Sequence, residues 1–333
     1  MALAAGAGKY GWTSPVVTPD SNIIHIEGGR HPLLELVTSQ YIANDCFLGG
    51  SGDNRRELWD GRDSPGEPDS QNTIMLITGP NDSGKSIYLK QVALTVYLAH
   101  IGSCVPAKRA VIGITDKILT RITTRESACR GESAFSIDLR QVALSVQAAT
   151  RRSLVLIDEF GKGTLPEDGA GLMGAIINSF LARGEEAPRV LAATHYHELV
   201  DGNYLTPGRN ISLARMEVRV NLEVGSFGEP SVVYLYALKQ GQGISSFGTS
   251  CAAVNGIDRS ILGRAEVIAD LLSRNADLQV LCSKLGVAEK RKLESAEAVA
   301  RHLLAMDLQD ECGSPHSVGG GHLRGVVKGW LAN

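Results

Sequence analysis

The stretch Thr73–Leu89, TIMLITGPNDSGKSIYL, constrains this chain more than any other. A short apolar run, Ile74, Met75, Leu76 and Ile77, stops at Gly79. Gly79, Gly84, Lys85 and Ser86 then satisfy the spacing G-x-x-x-x-G-K-[ST] of a phosphate-binding loop, with Pro80, Asn81, Asp82 and Ser83 between the glycines and Ile87 after them. Tyr88, Leu89, Val92, Leu94 and Val96 begin a helical apolar pattern, so strand, loop and helix come in the required order. Glycines let backbone N–H groups turn inward around phosphate oxygens, and the helix N-terminus behind them adds positive potential. Lys85 is expected on the β- and γ-phosphates of ATP and Ser86 on Mg²⁺. An ordinary glycine turn explains neither residue.

Three further segments carry chemistry. Leu154–Ile157 is a continuous apolar run ending in Asp158 and Glu159, the pattern of a buried parallel strand with acids at its C-terminal end. Asp158 is expected to support Mg²⁺, and Glu159 to polarise the water that attacks the γ-phosphate. Thr194-His195-Tyr196-His197-Glu198 closes another apolar strand, Arg189–Thr194. Ligands of open parallel sheets gather at such strand ends, which places His195 near the γ-phosphate. Gly161-Lys162-Gly163-Thr164 follows Glu159 and Phe160, and its glycines permit close approach of other backbone. Lys85, Glu159 and His195 are the catalytic candidates.

Between these motifs the pattern reads as strands alternating with helices, hence an α/β layered fold of the P-loop NTPase (ABC) type. Strands are expected over Ile23–Ile26, before a Gly28-Gly29 turn, and over Tyr41–Phe47, Ala110–Ile114, Lys117–Ile122 and Ser231–Leu238. Helices are expected over Ser133–Ala149, Asp168–Ala182, Gly256–Leu272 and Val287–Met306. Residues 1–20 read as an unpacked start, 49–72 as an exposed loop rich in Gly, Asp, Ser and Pro, and 312–333 as a flexible tail. The ATP-binding domain is expected over 21–243, with a helical region over 244–311. The 333 residues carry 43% hydrophobic side chains, ample for a core, and a net charge of −3, which gives no global nucleic-acid signature. Lys108-Arg109, Arg151-Arg152 and Lys290–Lys292 read as solvated charges, so strong DNA binding by this chain alone is not expected. Six scattered cysteines without a C-x-x-C pair read as reduced thiols of a cytosolic or nuclear protein, and no apolar run reaches the length of a membrane span.

Taken together, LITGPN, DEFGKGT and ATHYHEL in this order resemble the MutS family of DNA mismatch-repair ATPases, over about Asn22 to Leu272. Gly29-Arg30-His31-Pro32 resembles the family's GRHP segment, Tyr41-Ile42-Ala43-Asn44 its adenine-side motif, and Ser246-Phe247-Gly248, followed by Asn255-Gly256-Ile257 and Arg264-Ala265, its helical dimerisation end, which implies dimerisation through 244–311. The resemblance implies that Tyr41 stacks on the base, with Asn44 beside it. It also implies that Asn81 is the family's P-loop asparagine and that Ser133, in Ser133–Asp138, reaches the nucleotide of an opposite subunit. Phe160, Lys162 and the phrase GTLPEDGAGLMG look closer to the meiotic branch, the fifth homologue, than to the repair homologues. That branch implies a nuclear heterodimer with the fourth homologue, clamped on branched DNA intermediates and favouring crossing over. A mismatch-repair homologue and a nucleotide-binding assembly module with little turnover are the alternative readings. DNA contact is expected through regions that precede such an ATPase in the family; only about twenty residues do so here.

Three positions depart from the family pattern. Asp82 puts a carboxylate inside the phosphate loop, harmless if it points outward and weakening if it points inward. Glu132 stands where a basic or neutral residue is usual, and Ala134 where a threonine is, so weak turnover is expected.

Overall fold

The computed structural model describes residues 2–19, 21–49, 72–122, 133–202, 204–205, 210–221, 231–243, 248–254, 256–274 and 286–305. The expected 49–72 loop falls, save its two ends, outside the described residues, as do Glu132, Ser246, Phe247 and the 312–333 tail. In chain order the elements are α1 (Ala2–Tyr10), β1 (Val16–Thr18), β2 (Ile23–Gly29), β3 (Asn44–Gly49), β4 (Ile74–Thr78), α2 (Lys85–His100), β5 (Arg109–Gly113) and β6 (Ile118–Arg121). There follow α3 (Ala134–Ala148), β7 (Leu154–Asp158), α4 (Pro166–Leu181), β8 (Arg189–Ala193), α5 (Glu198–Asp201), β9 (Ile211–Asn221) and β10 (Ser231–Gln240). The last are α6 (Gly248–Val254), α7 (Arg259–Ser273) and α8 (Val287–Ala305). Contacts divide the chain into two units, 1–258 and 259–333, a boundary later than the expected one after residue 243.

The first unit holds two sheets. One runs β10-β9-β4-β8-β7-β6, all parallel except the antiparallel β9–β10 pair. The other runs β1-β5-β2-β3 and is mixed. The continuous apolar runs are explained by burial on both faces of the larger sheet. Met75 and Ile77 of β4, with Leu154, Leu156, Leu191 and Ala193, join a core shared with α2, β2, β3 and β5. Ile74 and Leu76, with Val155, Ile157, Val190 and Ala192, join a second core with α3 and α4. Each fully buried Leu or Ile contributes about 1.5–3 kcal/mol. Two helices start as their sequences direct. Ser133 caps α3, its hydroxyl accepting the Ser136 N–H at 3.2 Å, and α4 begins with Pro166, Glu167 and Asp168 in its first turn. Arg189 of β8 is fully buried, its guanidinium donating to Arg152 O at 2.6 Å, Thr115 Oγ1 at 2.9 Å and Ile23 O at 3.4 Å. That one side chain ties the larger sheet to β2 of the smaller.

Several expectations need correction. Residues 1–20 are not unpacked: the Ala-rich start forms α1, β1 pairs in parallel with β5 (Val16 with Val111), and Trp12 packs on the first core. No turn interrupts Gly28-Gly29; β2 runs through both with a bulge, and Gly28 takes φ 57°. The strand expected from Tyr41 starts at Asn44. One helix expected from Gly256 is replaced by α7, which starts at Arg259, preceded by the separate α6. β9, whose Ile211-Ser212-Leu213-Ala214 lies beside β4, was not anticipated. In the second unit α7 and α8 are amphipathic surface-type helices, with Asp270–Arg274 and Glu297–Arg301 pairs at i,i+4 spacing.

Candidate active site

The site lies where β4, β7 and β8 end. After Thr78 the chain turns through Gly79 (φ 149°) and Gly84 (φ 100°), and α2 begins at Lys85. Both glycines take positive φ, which strains any L side chain, and a Cβ would also crowd Met216 Cβ at 3.1 Å from Gly79 and Tyr236 Cδ1 at 3.3 Å from Gly84. Ser83 is buried and donates to Pro80 O at 2.7 Å, which ties the loop to itself. Asn81 and Asp82 are exposed on the rim. Asp82 adopts φ 61°, a left-handed conformation that Asp tolerates, and lines the cavity. Lys85 is buried, with its ammonium donating to Gly79 O at 2.7 Å and Pro80 O at 2.8 Å and lying 3.5 Å from Glu159 Oε1. Burial lowers the Lys85 pKa, against the opposing pull of Glu159 and Asp158.

A cavity of about 550 Å³ opens over this loop. It is lined by Lys85, Ser86 and Glu159 and also by Tyr41, Ile42, Asn44 and Tyr236. Tyr41 is half-buried and its hydroxyl donates to Gln91 Oε1 at 2.8 Å; burial pushes the phenol up to about 12. Tyr236 was not anticipated. It sits at φ 53° in an irregularity of β10 between Tyr234 and Leu238, and no local sequence signal marks it. Asn44 holds the irregularity open, its Nδ2 donating to Tyr236 O at 2.8 Å and its Oδ1 accepting the Leu238 N–H at 2.6 Å.

Asp158 and Glu159 follow one another but face different partners. Asp158 is buried, and its Oδ1 has no hydrogen-bond partner. Burial raises its pKa, opposed by a hydrogen bond with Ser86. A buried orphan carboxylate oxygen beside a serine hydroxyl is a hard oxygen set that fits Mg²⁺, which takes one or two protein ligands together with phosphate. Among the described residues no group of three or more His, Cys, Asp or Glu converges as an all-protein metal cage. Glu159 takes φ 50°, and its two carboxylate oxygens meet His195 Nε2 and Lys162 Nζ. Burial raises its pKa, but the hydrogen bonds from His195 and Lys162 and the nearby charge of Lys85 prevail and hold the carboxyl far below its usual range.

A smaller opening of about 420 Å³ is lined by Ser86, Asp158, Glu159, Lys162, Arg121 and Phe135 among others. Arg121, which the sequence reading passed over, donates from Nη1 to Asp158 O and from Nη2 to Asp138 Oδ2. It thereby joins the end of β7 to α3. Ser133, the cap of α3, lines neither cavity, so the chain does not bring it to its own site. The glycines after Glu159 admit close neighbours as expected: a Cβ on Gly161 would meet Gly169 Cα at 2.7 Å, and one on Gly163 would meet Phe135 Cβ at 2.7 Å.

The sequence profile of MutS domain V matches residues 75–273. MutS protein homolog 5 of Saccharomyces cerevisiae is 36% identical over 93% of this chain and 35% of its own length. The DNA mismatch repair protein MutS of Protochlamydia amoebophila is 34% identical over 89% of this chain and 32% of its own, and that of Lactococcus lactis subsp. cremoris 36% over 82% and 29%. The chain thus spans about a third of the length of these relatives.

Proposed function

The chain belongs to the MutS family, and we propose that it binds and hydrolyses ATP as the motor domain of a DNA clamp acting in meiotic recombination. Lys85, Ser86 and Glu159 line one cavity, and Asp158 lines a second opening that shares Ser86 and Glu159 with it; this grouping supports the reading most directly. Lys85 binds the phosphates, for which it exchanges its bonds to the loop carbonyls. Ser86 and Asp158 would hold Mg²⁺, which when bound neutralises charge on the transferred phosphoryl group. Glu159, kept ionised, accepts a hydrogen bond from the attacking water and orients it, while His195 fixes the carboxylate. Catalysis of this kind is mostly positioning and electrostatics. Tyr41 and Tyr236 offer two aromatic rings at the base end.

Ser133 completes the site of a second subunit, so that ATP closes a dimer and hydrolysis releases it. The partner is a second MutS homologue, the fourth homologue in the meiotic branch, and the place of action is the nucleus. DNA is held by parts of the protein outside this domain. The 36% identity to homolog 5 over nearly the whole chain favours this branch, although the bacterial mismatch repair proteins match almost as well. A measurement of ATP turnover by the chain with an equimolar fourth homologue tests the reading. Mg²⁺-dependent turnover that rises when the fourth homologue is added supports it. Turnover raised instead by a mismatch-repair homologue, and not by the fourth, transfers the chain to the repair branch. Asp82 in the phosphate loop favours the second reading, a nucleotide-gated assembly module, to which tight ATP binding with no turnover would point.

A further inference from the structure

Gln91 lies six residues beyond Lys85 on α2, about 9 Å along the helix axis. It is a fully buried amide, and both ends of it are used on the base side of the cavity. Its Oε1 accepts the Tyr41 hydroxyl at 2.8 Å, and its Nε2 donates to the backbone carbonyl of Asn44 at 3.2 Å. Asn44 in turn sets the conformation of Tyr236 through its own amide. The approach is made possible by Gly29, where a Cβ would lie 2.6 Å from Gln91 Nε2 and 3.0 Å from Asn44 O. β2, the 41–44 segment and the phosphate helix therefore meet on one amide. Polar groups of this kind are costly to bury unless they are fully bonded.

We infer that Gln91 is the positioning residue for the base end of the site, fixing Tyr41 and Asn44 to the same helix whose N-terminus holds the phosphates. The inference rests on the reading of this cavity as an ATP site with Tyr41 against the base. One helix then sets the distance between phosphate and base contacts. Gly29 is kept free of a side chain so that the amide can span them. Nothing in this arrangement touches the triphosphate, so its loss acts on nucleotide affinity through the base alone.

The test compares two ligands on the 333-residue chain by titration calorimetry: ATP, and inorganic tripolyphosphate, which has no base. Tyr41→Phe and Gln91→Leu each weaken ATP about three- to tenfold and leave tripolyphosphate affinity as it was. The double variant is no weaker than Gln91→Leu alone, because that change already breaks the bond to Tyr41 together with the one to Asn44 O. Parallel loss of tripolyphosphate affinity in both singles overturns the inference, since it marks a loosened fold. Should Gln91→Leu fail to fold, Tyr41→Phe, which keeps the ring and leaves the core intact, decides alone. ATP affinity unchanged in Tyr41→Phe while Tyr41→Ala weakens it overturns the role of Gln91 only. ATP affinity unchanged in Tyr41→Ala overturns the base-side reading itself, and this inference with it.

Discussion

Asn44 clasps the backbone on both sides of Ala237, donating to Tyr236 O at 2.8 Å and accepting from Leu238 N at 2.6 Å. A single amide thus replaces the ladder bonds that β10 forgoes at its irregularity, and Tyr236 keeps its left-handed φ of 53° because of it. Asn44→Ala is expected to cost about 1.5–4.5 kcal/mol, the loss of these two bonds and of a third to Ile42 O at 3.2 Å, each about 0.5–1.5 kcal/mol. Denaturant unfolding checks this. Weaker ATP binding should accompany it as Tyr236 leaves the cavity wall.

Lys85 and Glu159 separate binding from chemistry. Lys85→Ala is expected to abolish ATP binding, because it removes the buried cation from the phosphate end. A Lys85→Ala chain that binds ATP normally by calorimetry would count against the phosphate loop as the site.

Glu159→Ala is expected to keep ATP binding and to lose turnover by about a hundredfold or more. The readout is phosphate release with the partner present. Turnover at the wild-type rate would remove Glu159 from its water-orienting role.

Arg189 is expected to matter to stability far more than to ATP. Arg189→Met removes the donors that meet Ile23 O and Arg152 O between the two sheets. Ile23 O loses that donor, at about 1–3 kcal/mol, whereas Arg152 O keeps the Asp116 N–H at 3.3 Å. The melting temperature should drop while the ATP affinity of the chain that remains folded is unchanged.

His31 gives the fold an acid-sensitive contribution. Burial lowers its pKa from 6.5, as does Lys90, and its Nδ1 accepts the backbone N–H groups of Leu33 and Leu34 at 3.3 Å. A lowered folded-state pKa on a base means that the unfolded chain takes up the proton first. The stabilisation is therefore complete above about pH 6.5 and is lost as pH falls from there through the lowered folded value. His31→Asn, which retains an acceptor but does not titrate, should unfold with a shallower pH dependence between pH 7 and 5. Identical slopes in the two proteins would rule the contribution out.

What the sequence made legible follows from how locally each feature is specified. Gly79, Gly84, Lys85 and Ser86 fall within one short loop between β4 and α2, and a fixed spacing marks such a loop in the sequence. Asp158, Glu159 and His195 were legible because buried parallel strands are continuous apolar runs and ligands meet their ends. Tyr236 and Arg121 were not. Tyr236 reaches the cavity through a bulge clasped by Asn44, and Arg121 is an edge-strand residue turned onto Asp158 and Asp138 by the packing of α3. β1 was missed for a related reason: Val16 and Val17 are exposed, and their strand exists through pairing with β5. β9 carries polar residues between its apolar ones, which read as irregular until β4 is beside it.

The strand order β10-β9-β4-β8-β7-β6 sets a schedule for making this protein. β4, the strand that launches the phosphate loop, has both its neighbours, β8 and β9, far downstream. As the chain leaves the ribosome, β4 therefore emerges with two bare edges and waits until Arg189–Asn221 has been synthesised. Pairing across such separations carries a loop-closure cost and makes folding slow. A nascent chain halted before β8 would display the apolar residues of β4 and α2 without their cover, a natural client for chaperones.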